Sequence, residues 1–301
     1  MFQIQQISTS NPLEDHFHIT NEGISCKIYQ NLGASVQEFS KNGVALFKGF
    51  RKVEDYKIEH TSSILAPFPG RIEYGTYIHD HKKYHLDTNE NNRENSIHGL
   101  VAHEYFECTD SKSTEDQATI VFSYQPKNNI EGYPFLYKVD VTYLITNNSL
   151  HVDIRMKNLD ETIIPFGLGW HPYFLCSDLK NSMLQFNSTQ EILCDTEMIP
   201  ISEKSIDYAS AFPIKDLHFD TCYTLDQKKV SLKTNEYSVD MEVFSPEDQF
   251  IQIFTPHTRD CIALEPMTCA PNAFNNRMGL LQLKPKDSYT YSIMLNFTTN
   301  V

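Results

Sequence analysis

The sequence predicts an all-β protein, a large antiparallel β-sandwich, and three observations support this. Apolar and polar residues alternate with a period of two in segment after segment, as half-buried strands require. Turn-forming residues separate these segments, and the longer period of amphipathic helices is scarce. No Pro- or Gly-rich linker, low-complexity tract or repeat divides the chain. We therefore expect one domain over residues 1–301, with under about a fifth of its residues in helices.

The clearest strands form a hairpin in the middle of the chain. Residues 137–145 and 150–156 each carry apolar residues at every second position, and the turn signal Asn147-Asn148-Ser149 joins them. The same alternation marks residues 237–243 and 289–297. Further strands are expected at 2–7, 24–30, 34–39, 119–124, 250–254 and 261–265. Many strands with turn-rich connections are typical of an antiparallel sandwich or barrel.

Three other segments depart from this alternation. A helical period is best developed near residues 205–211, where we expect a short helix. Residues 87–95 and 110–117 are strongly polar, and we expect both segments to be solvated loops.

Composition and charge exclude several kinds of partner. Lys and Arg total 25 against 39 for Asp and Glu, a formal charge of −14, whereas binding nucleic acid or an anionic membrane requires a basic surface. The seven cysteines form no CxxC pair and are odd in number, which indicates free thiols in a reducing compartment. The N-terminus shows no signal-peptide pattern, and no run of about 18 apolar residues could span a membrane. We expect a soluble, cytoplasmic protein, for which neutral small molecules remain open as ligands.

Polar residues that interrupt the alternation are the candidates for chemistry. Arg71 follows a loop framed by Pro and Gly, Ala66-Pro67-Phe68-Pro69-Gly70, although a surface arginine after a turn would look the same. His98 ends a polar loop just before a glycine, and most histidines in such places are structural or solvated. Asp220 follows Phe219, where a turn residue is the simpler explanation.

The segment Trp170-His171-Pro172-Tyr173-Phe174 carries a stronger signal. Pro172 disfavours helical geometry at His171, which suits an imidazole that projects from the end of a strand. Trp170 is the only tryptophan of the chain, and stacked aromatic residues such as Trp170 and Tyr173 bind the apolar face of a sugar ring. A packed aromatic cluster with a hydrogen-bonded histidine would explain the same residues.

Glu265 ends the apolar segment Cys261-Ile262-Ala263-Leu264, and Pro266 follows it. Such a carboxylate is either solvated or held at the mouth of a pocket, where partial desolvation raises its pKa and makes it a usable base. The motifs GxGxxG, GxxxxGK[ST], GxSxG and HExxH are missing from the sequence. His103-Glu104 and His79-Asp80-His81 lack the spacing of familiar metal sites. We therefore expect no metal and no cofactor.

Taken in order, these segments resemble the galactose mutarotase, or aldose 1-epimerase, family. The resemblance covers nearly the whole chain, and the His-Pro-Tyr-Phe and Glu-Pro segments are its most specific parts. The other matching segments are Gly33-Ala34-Ser35, Pro69-Gly70-Arg71-Ile72, His98-Gly99, Phe219-Asp220 and Pro271-Asn272-Ala273-Phe274-Asn275. The resemblance implies the galactose mutarotase-like supersandwich, with an open sugar cleft. It also implies an enzyme that interconverts the α and β anomers of a free aldose without a cofactor.

The resemblance further implies a role for each candidate residue. Glu265 would be the base that takes the proton from the C1 hydroxyl, and His171 the acid that protonates the ring oxygen. His98 would lie near the same oxygen, while Arg71 and Asp220 would hold sugar hydroxyls. We expect these five residues to converge on one cleft beside the aromatic residues named above. The expected partner is a small sugar, and the protein is expected to be a monomer or a homodimer.

Several departures from the family concern the choice of sugar more than the acid–base pair. Leu100 stands where many mutarotases carry a second glycine after the histidine, and Asn272 stands where the family often has Asp. The loop near Arg71 is shorter and richer in proline than in the galactose enzymes.

Three alternatives stay open from the sequence. A hexose-6-phosphate 1-epimerase would need basic residues at the far end of the cleft, which Lys82, Lys83 or Arg93 could supply. A non-catalytic carbohydrate-binding domain would not need His98, His171 and Glu265 together. A glycosidase with Glu265 and Asp220 as paired carboxylates fits least, because the two imidazoles would have no role.

Overall fold

Strands make up most of the computed structural model, which describes residues 1–90 and 92–300. They hold 51% of the residues, while helices hold 7%, so the predicted all-β class and the low helix content are confirmed. The strands of the first half are Gln3–Ile7 (β1), His16–Thr20 (β2), Ile24–Tyr29 (β3), Ser35–Lys41 (β4), Val44–Ala45 (β5), Ile64–Leu65 (β6), Arg71–Ile72 (β7), Thr76–His79 (β8), Lys82–His85 (β9), Ser96–Ile97 (β10), Glu107–Ser113 (β11), Gln117–Tyr124 (β12), Tyr137–Thr146 (β13) and Ser149–Asn158 (β14).

The second half continues in the same manner. Its strands are Ile164–Phe166 (β15), Gly169–Trp170 (β16), Tyr173–Leu175 (β17), Met183–Phe186 (β18), Ser188–Cys194 (β19), Pro200–Tyr208 (β20), Phe212–Pro213 (β21), Asp220–Thr224 (β22), Lys229–Lys233 (β23), Tyr237–Phe244 (β24), Phe250–Phe254 (β25), Cys261–Met267 (β26), Leu281–Leu283 (β27) and Ser288–Thr299 (β28). The helical segments are Val53–Glu59 (α1), Ala273–Asn276 (α2) and the 3-10 turns Pro12–Glu14, Glu73–Gly75 and Leu179–Asn181. In the described part of the chain, no helix has the length and apolar character to cross a membrane.

The strands pair antiparallel in three large sheets. One sheet has the order β1-β2-β3-β4-β5, and a second has the order β11-β12-β13-β14-β28-β24-β23-β18-β21. The third has the order β20-β19-β22-β25-β26-β16-β6, with β17 also paired to β26. The predicted hairpin is confirmed, because β13 and β14 pair with Ile145 opposite Leu150 across the turn. Small two-stranded ribbons, among them β7 with β10, lie outside these sheets.

Apolar and polar residues alternate along the strands because one face of each central sheet is buried in the core between the sheets. Val139, Val141 and Tyr143 of β13 point inward and are fully buried, whereas the residues between them are partly exposed. Ile251 and Ile253 of β25 enter the same core from the third sheet. Each fully buried aliphatic side chain contributes about 1.5–3 kcal/mol of transfer free energy, so the inward positions fix the register of each strand.

Two of the sequence predictions are wrong. Residues 205–208, expected in a helix, belong to β20, and Ser205 pairs with Gln190 of β19. Residues 110–113, expected in a loop, belong to β11, which pairs with β12. Both strands lie at the edge of a sheet, and most of their side chains are exposed on both faces. No buried face imposes an apolar alternation on such a strand, so polarity alone does not distinguish it from a loop.

The third sheet positions the candidate site on the face that turns away from the core. Ile251 and Ile253 face inward, so Gln252 and Phe254 face the other side. The register places Glu265 opposite Gln252 and Asp220 opposite Phe254. Polar side chains from three neighbouring strands, β22, β25 and β26, therefore share one surface.

Candidate active site

A cavity of about 270 Å³ lies on this surface of the third sheet. Its lining includes six of the seven residues that the sequence suggested, namely Arg71, His98, His171, Tyr173, Asp220 and Glu265. They come from separate strands and loops along the chain, and the fold brings them together. Trp170 is the seventh and does not line the cavity.

The centre of the cavity is a contact between Glu265 and His171. Nε2 of His171 lies 3.3 Å from Oε1 of Glu265, and the two side chains are only 6% and 3% exposed. Glu265 is held by the pairing of β26 with β25. The backbone N–H of His171 donates to the carbonyl of Ser63, and its carbonyl accepts from the N–H of Ser62. Both partners are thus fixed by backbone hydrogen bonds on either side of the cavity.

Burial moves the pKa values of this pair in opposite directions. Desolvation, followed by the nearby charge of Asp220, raises the pKa of Glu265 well above its ordinary value. Desolvation, followed by the neighbouring His60, lowers the pKa of His171 to about 3. Both shifts favour uncharged side chains, so the pair favours the state with one proton, which either member can carry. A pair in this state can release one proton and accept another at adjacent atoms.

His98 extends the pair toward a second imidazole. The rings of His98 and His171 lie 5.0 Å apart, edge to face, and Nδ1 of each has no hydrogen-bond partner among the described residues. His98 adopts a left-handed backbone with φ 63°, and Gly99 follows with φ 78°. A Cβ at Gly99 would lie 2.3 Å from the carbonyl oxygen of Ala66, so only glycine permits the close turn that aims His98 into the cavity.

Arg71 reaches the cavity from the ribbon of β7 and β10, where it pairs with Ile97. Its guanidinium is held by Glu90, with Nε 3.1 Å from both carboxylate oxygens and a terminal nitrogen 2.8 Å from Oε1. The side chain of Arg71 is only 14% exposed. This bidentate contact fixes the plane of the guanidinium, and its remaining N–H groups are available to the oxygen atoms of a ligand.

Asp220 and Gln252 also line the cavity, and they contact each other. Nε2 of Gln252 donates to Oδ1 of Asp220 at 2.9 Å. Desolvation by the cavity walls raises the pKa of Asp220, although Arg71 and Gln252 act in the opposite direction. Carboxylate and amide groups in such a position are acceptors and donors for hydroxyl groups.

The two aromatic candidates have different surroundings. The ring of Tyr173 stacks on His171, with centroids 4.9 Å apart and planes at 11°, and it forms part of the cavity wall. Trp170 is fully buried, packs edge to face on Phe47 and donates from Nε1 to the carbonyl of Ser62. The expectation that Trp170 stacks on a sugar is therefore corrected, because its ring points into the core while the next residue points into the cavity.

Comparison with known proteins agrees with this geometry. The sequence model of the aldose 1-epimerase family matches residues 15–296. The chain belongs to this family. It is similar to the uncharacterised protein YihR of Escherichia coli K12, with 28% identity over 270 residues, which are 84% of this chain and 84% of that protein. It is also similar to human galactose mutarotase, with 28% identity over 175 residues, 57% of this chain and 48% of the human protein.

Solved structures show the same fold. A galactose mutarotase-like protein from Clostridium acetobutylicum matches with a TM-score of 0.86 at 18% identity, over 99% of this chain and 98% of that one. A galactose 1-epimerase from Lactobacillus acidophilus matches with a TM-score of 0.81 at 16% identity, over 100% and 99% of the two chains. The predicted galactose mutarotase-like sandwich is thus confirmed, and the epimerase is an isomerase by family.

The structure adds cavity residues that the sequence did not suggest. His60 follows α1, is 8% exposed, and lies beside His98 with ring centroids 4.9 Å apart. Glu90, Gln252 and Phe254 also line the epimerase cavity. The alternation in β25 already puts Gln252 and Phe254 on one face, so a closer inspection of that strand could have found them. Nothing in the sequence around His60 or Glu90 distinguishes them from ordinary surface residues.

His98, His171 and Glu265 are also the residues that could hold a metal ion. Their ligand atoms all lie within 4.8 Å of one another, whereas the ligands of a tetrahedral zinc ion lie about 3.4 Å apart. The group would have to contract around an ion, at the expense of the contact between His171 and Glu265. The absence of a metal from the epimerase stays a prediction.

The buried histidines predict a loss of stability in acid. Burial, followed by the nearby His103, lowers the pKa of His60 to about 4. The unfolded chain, with a pKa near 6.5, therefore takes up the proton first as the pH falls, and the stability present above that value is lost between pH 6.5 and about 4. For His60 this amounts to about 2 kcal/mol between pH 7 and pH 5. Glu265 acts in the opposite direction, because its raised pKa costs stability as the pH rises.

A histidine substitution isolates this contribution. Urea unfolding of His60→Gln at pH 7 and pH 5 should show a pH dependence about 2 kcal/mol smaller than that of the wild type. His218→Gln, at an exposed position, is the matched control and should keep the wild-type dependence. An unchanged pH dependence in His60→Gln would show that His60 does not contribute to acid sensitivity.

Proposed function

We propose that this enzyme interconverts the α and β anomers of a free aldohexose by acid–base opening and closure of the sugar ring. The observation that carries the proposal is the contact between Glu265 and His171, which are buried, 3.3 Å apart and in the same cavity. Opening a hemiacetal needs one group that removes the proton of O1 and another that protonates O5. A carboxyl group and an imidazole that share one proton satisfy both needs.

The steps follow from these two groups. In the form that starts the reaction, the shared proton is on His171 and Glu265 is a carboxylate. Glu265 removes the O1 proton, His171 donates its proton to O5, and the bond between C1 and O5 breaks to give the open-chain aldehyde. Rotation about the bond between C1 and C2 presents the other face of the carbonyl. His171 then takes back the O5 proton while O1 recovers its own, and the ring closes as the opposite anomer. Proton transfers of this kind contribute about 10²–10⁴-fold.

The remaining cavity residues are proposed to bind the sugar. Arg71 and Asp220 both line the cavity and would hold ring hydroxyls, while His98 would lie near the ring oxygen. Tyr173 and Phe254 offer apolar surface to one face of the ring. Binding on both sides of the ring keeps C1 beside Glu265 while the open-chain form rotates.

Measurement of anomer exchange tests the proposal. Fresh α-anomers of glucose, galactose and glucose 6-phosphate should relax faster with the enzyme than in buffer, as followed by polarimetry or by proton NMR. Heat-inactivated protein is the control for spontaneous mutarotation. No acceleration with any free aldose would contradict the proposal and would favour a carbohydrate-binding domain, for which binding without turnover is expected.

A hexose-6-phosphate epimerase is the second candidate, since two basic side chains besides Arg71, those of Lys57 and Arg93, line the cavity. Lys82 and Lys83, which the sequence also suggested, lie on the hairpin of β8 and β9 and are exposed outside the cavity lining. Arg93 is paired with Glu90, which reduces its attraction for a phosphate. The comparison between glucose and glucose 6-phosphate decides between the two candidates.

We further propose that the reaction needs no metal ion. Proton transfer between Glu265, His171 and the sugar accounts for both bond-breaking steps. Dialysis against EDTA should therefore leave the anomer-exchange rate unchanged, within a factor of about two, as measured by polarimetry before and after dialysis. Loss of activity that a divalent ion restores would contradict this and would point to the cluster of His98, His171 and Glu265.

The chain is also proposed to act as one catalytic domain over residues 1–301. In support, one cluster of buried side chains runs from Phe2 to Phe297 and includes residues of all three large sheets. The seven cysteines are free thiols, and the reducing compartment inferred from them stays a prediction, as does the monomeric or homodimeric state.

A further inference from the structure

One carboxylate in the cavity wall holds two arginines. Glu90 accepts hydrogen bonds from Arg71 at 2.8–3.1 Å and from Arg93 at 3.0 Å, and Asn95 adds a further donor at 3.1 Å. The side chain of Glu90 is only 12% exposed. Burial opposes its ionisation, but Arg71, Asn95 and Arg93 together keep its pKa below the ordinary value. Glu90 is therefore a fixed negative charge.

The two arginines are themselves held in place. Arg71 is anchored by its strand, and Nε of Arg93 donates to the carbonyl of Thr196 at 3.3 Å. Both line the cavity beside Glu90. A pair of converging guanidinium groups is the usual binding site for a phosphate, sulfate or carboxylate group, and here the protein's own carboxylate occupies that position.

The other charged residues of the cavity also show how Glu90 affects the binding of an anion. The described lining of the cavity contains the cations Lys57, Arg71 and Arg93, and the carboxyl groups Glu59, Glu90, Asp220 and Glu265. Without Glu90, neither arginine would have a carboxylate partner at ion-pair distance among the described residues. With it, an anionic substituent on a sugar would meet a fixed like charge at short range, which opposes binding in a partly buried site.

We propose that Glu90 is a specificity-determining residue, which neutralises Arg71 and Arg93 and thereby keeps sugars with an anionic substituent out of the cavity. Glu90 also positions Arg71, so its loss should affect the binding of a neutral sugar. The inference rests on the proposed anomerase activity for its kinetic test, while its binding test is independent of turnover.

The kinetic test compares glucose with glucose 6-phosphate in Glu90→Gln. The amide keeps the shape and one acceptor oxygen but removes the charge. We expect the ratio of kcat/KM for glucose 6-phosphate to that for glucose to rise at least about 10-fold, mainly through KM, and to fall again as salt is added. Glu94→Gln is the matched control, because it removes the same charge from an exposed position of the same loop. Its ratio should stay within a factor of about two of the wild type.

The binding test uses inorganic phosphate as the probe in isothermal titration calorimetry. Glu90→Gln should bind phosphate at least about 10-fold more tightly than the wild type and Glu94→Gln. If the wild type does not turn over any free aldose, the proposed activity fails, and this titration still decides the role of Glu90. Equal phosphate affinity in all three proteins would overturn the inference.

If circular dichroism shows that Glu90→Gln does not fold, a second variant tests the role of Glu90. Arg93→Met keeps Glu90 and its contact with Arg71 and removes one compensating cation. The inference then expects weaker phosphate binding, and discrimination against glucose 6-phosphate at least about threefold greater than in the wild type. Unchanged or reduced discrimination in Arg93→Met would reject the inference.

Discussion

Glu265→Gln is expected to lower kcat for anomer exchange by about 100-fold or more, with a much smaller change in KM. The amide has nearly the same shape as the carboxyl group, so it fits the space opposite Gln252. It cannot accept the proton of O1, and it cannot share a proton with His171. The sugar should therefore still bind through Arg71 and Asp220, while the ring-opening step becomes slow. Polarimetry over a range of sugar concentrations separates the two constants.

The control for this experiment is the same substitution at an exposed strand position. Glu203→Gln in β20 should retain wild-type kcat and KM. Near-wild-type exchange by Glu265→Gln would mean that Glu265 has only a structural role within β26, and that another group removes the proton from O1. A large rise in KM with unchanged kcat would assign Glu265 to sugar binding instead.

The fold could be predicted wherever one face of a strand is buried. Burial of every second residue requires the alternation of apolar and polar residues that identified the hairpin of β13 and β14. The strands β24 and β28 show the same alternation for the same reason. The pattern fails at β11 and β20, because solvent covers both faces of an edge strand. Such strands form through backbone hydrogen bonds to a neighbouring strand, and these bonds require no alternation of apolar and polar residues in the sequence.

The candidate site could be predicted in part for a related reason. Glu265 was conspicuous because a carboxylate and a proline interrupt an apolar segment, although the strand continues, fully buried, to Met267. His171 was conspicuous because it precedes a proline beside aromatic residues. Glu90 was not conspicuous in the sequence. It lies in a polar loop, where one more acidic residue does not indicate a function. Its importance comes from contacts with Arg71 and Arg93, which only the folded chain makes.

Trp170 shows the limit of reading a motif as a unit. Trp170 and His171 are adjacent, and successive side chains of an extended segment point to opposite faces. The indole of Trp170 is buried in the core, and the imidazole of His171 lines the cavity. Which of the two residues lines the cavity depends on the neighbouring sheet. The motif therefore pointed to a segment of the cavity wall, while Trp170 itself lies in the core.

His171→Asn is expected to reduce kcat as strongly as Glu265→Gln, by about 100-fold or more, because it removes the group that protonates O5. The wild-type enzyme should show a bell-shaped pH dependence whose two limbs belong to the coupled pair, since activity requires the pair to hold one proton. His171→Asn should lose one limb of this bell. Because the pKa of His171 is lowered to about 3, measuring kcat from about pH 3 to about pH 9 for both proteins tests this expectation. His218→Asn, at an exposed position, should leave the profile unchanged.

The double variant distinguishes a pair that acts together from two independent groups. Each turnover needs a base at O1 and an acid at O5, and the two groups share one proton across 3.3 Å. Removing either one already disables the exchange, so the double variant should be no more than about threefold slower than the slower single variant. Losses that multiply, to about 10⁴-fold or more, would show that Glu265 and His171 act independently. In that case His98, whose ring lies 5.0 Å from that of His171, would be the next candidate for the partner of Glu265.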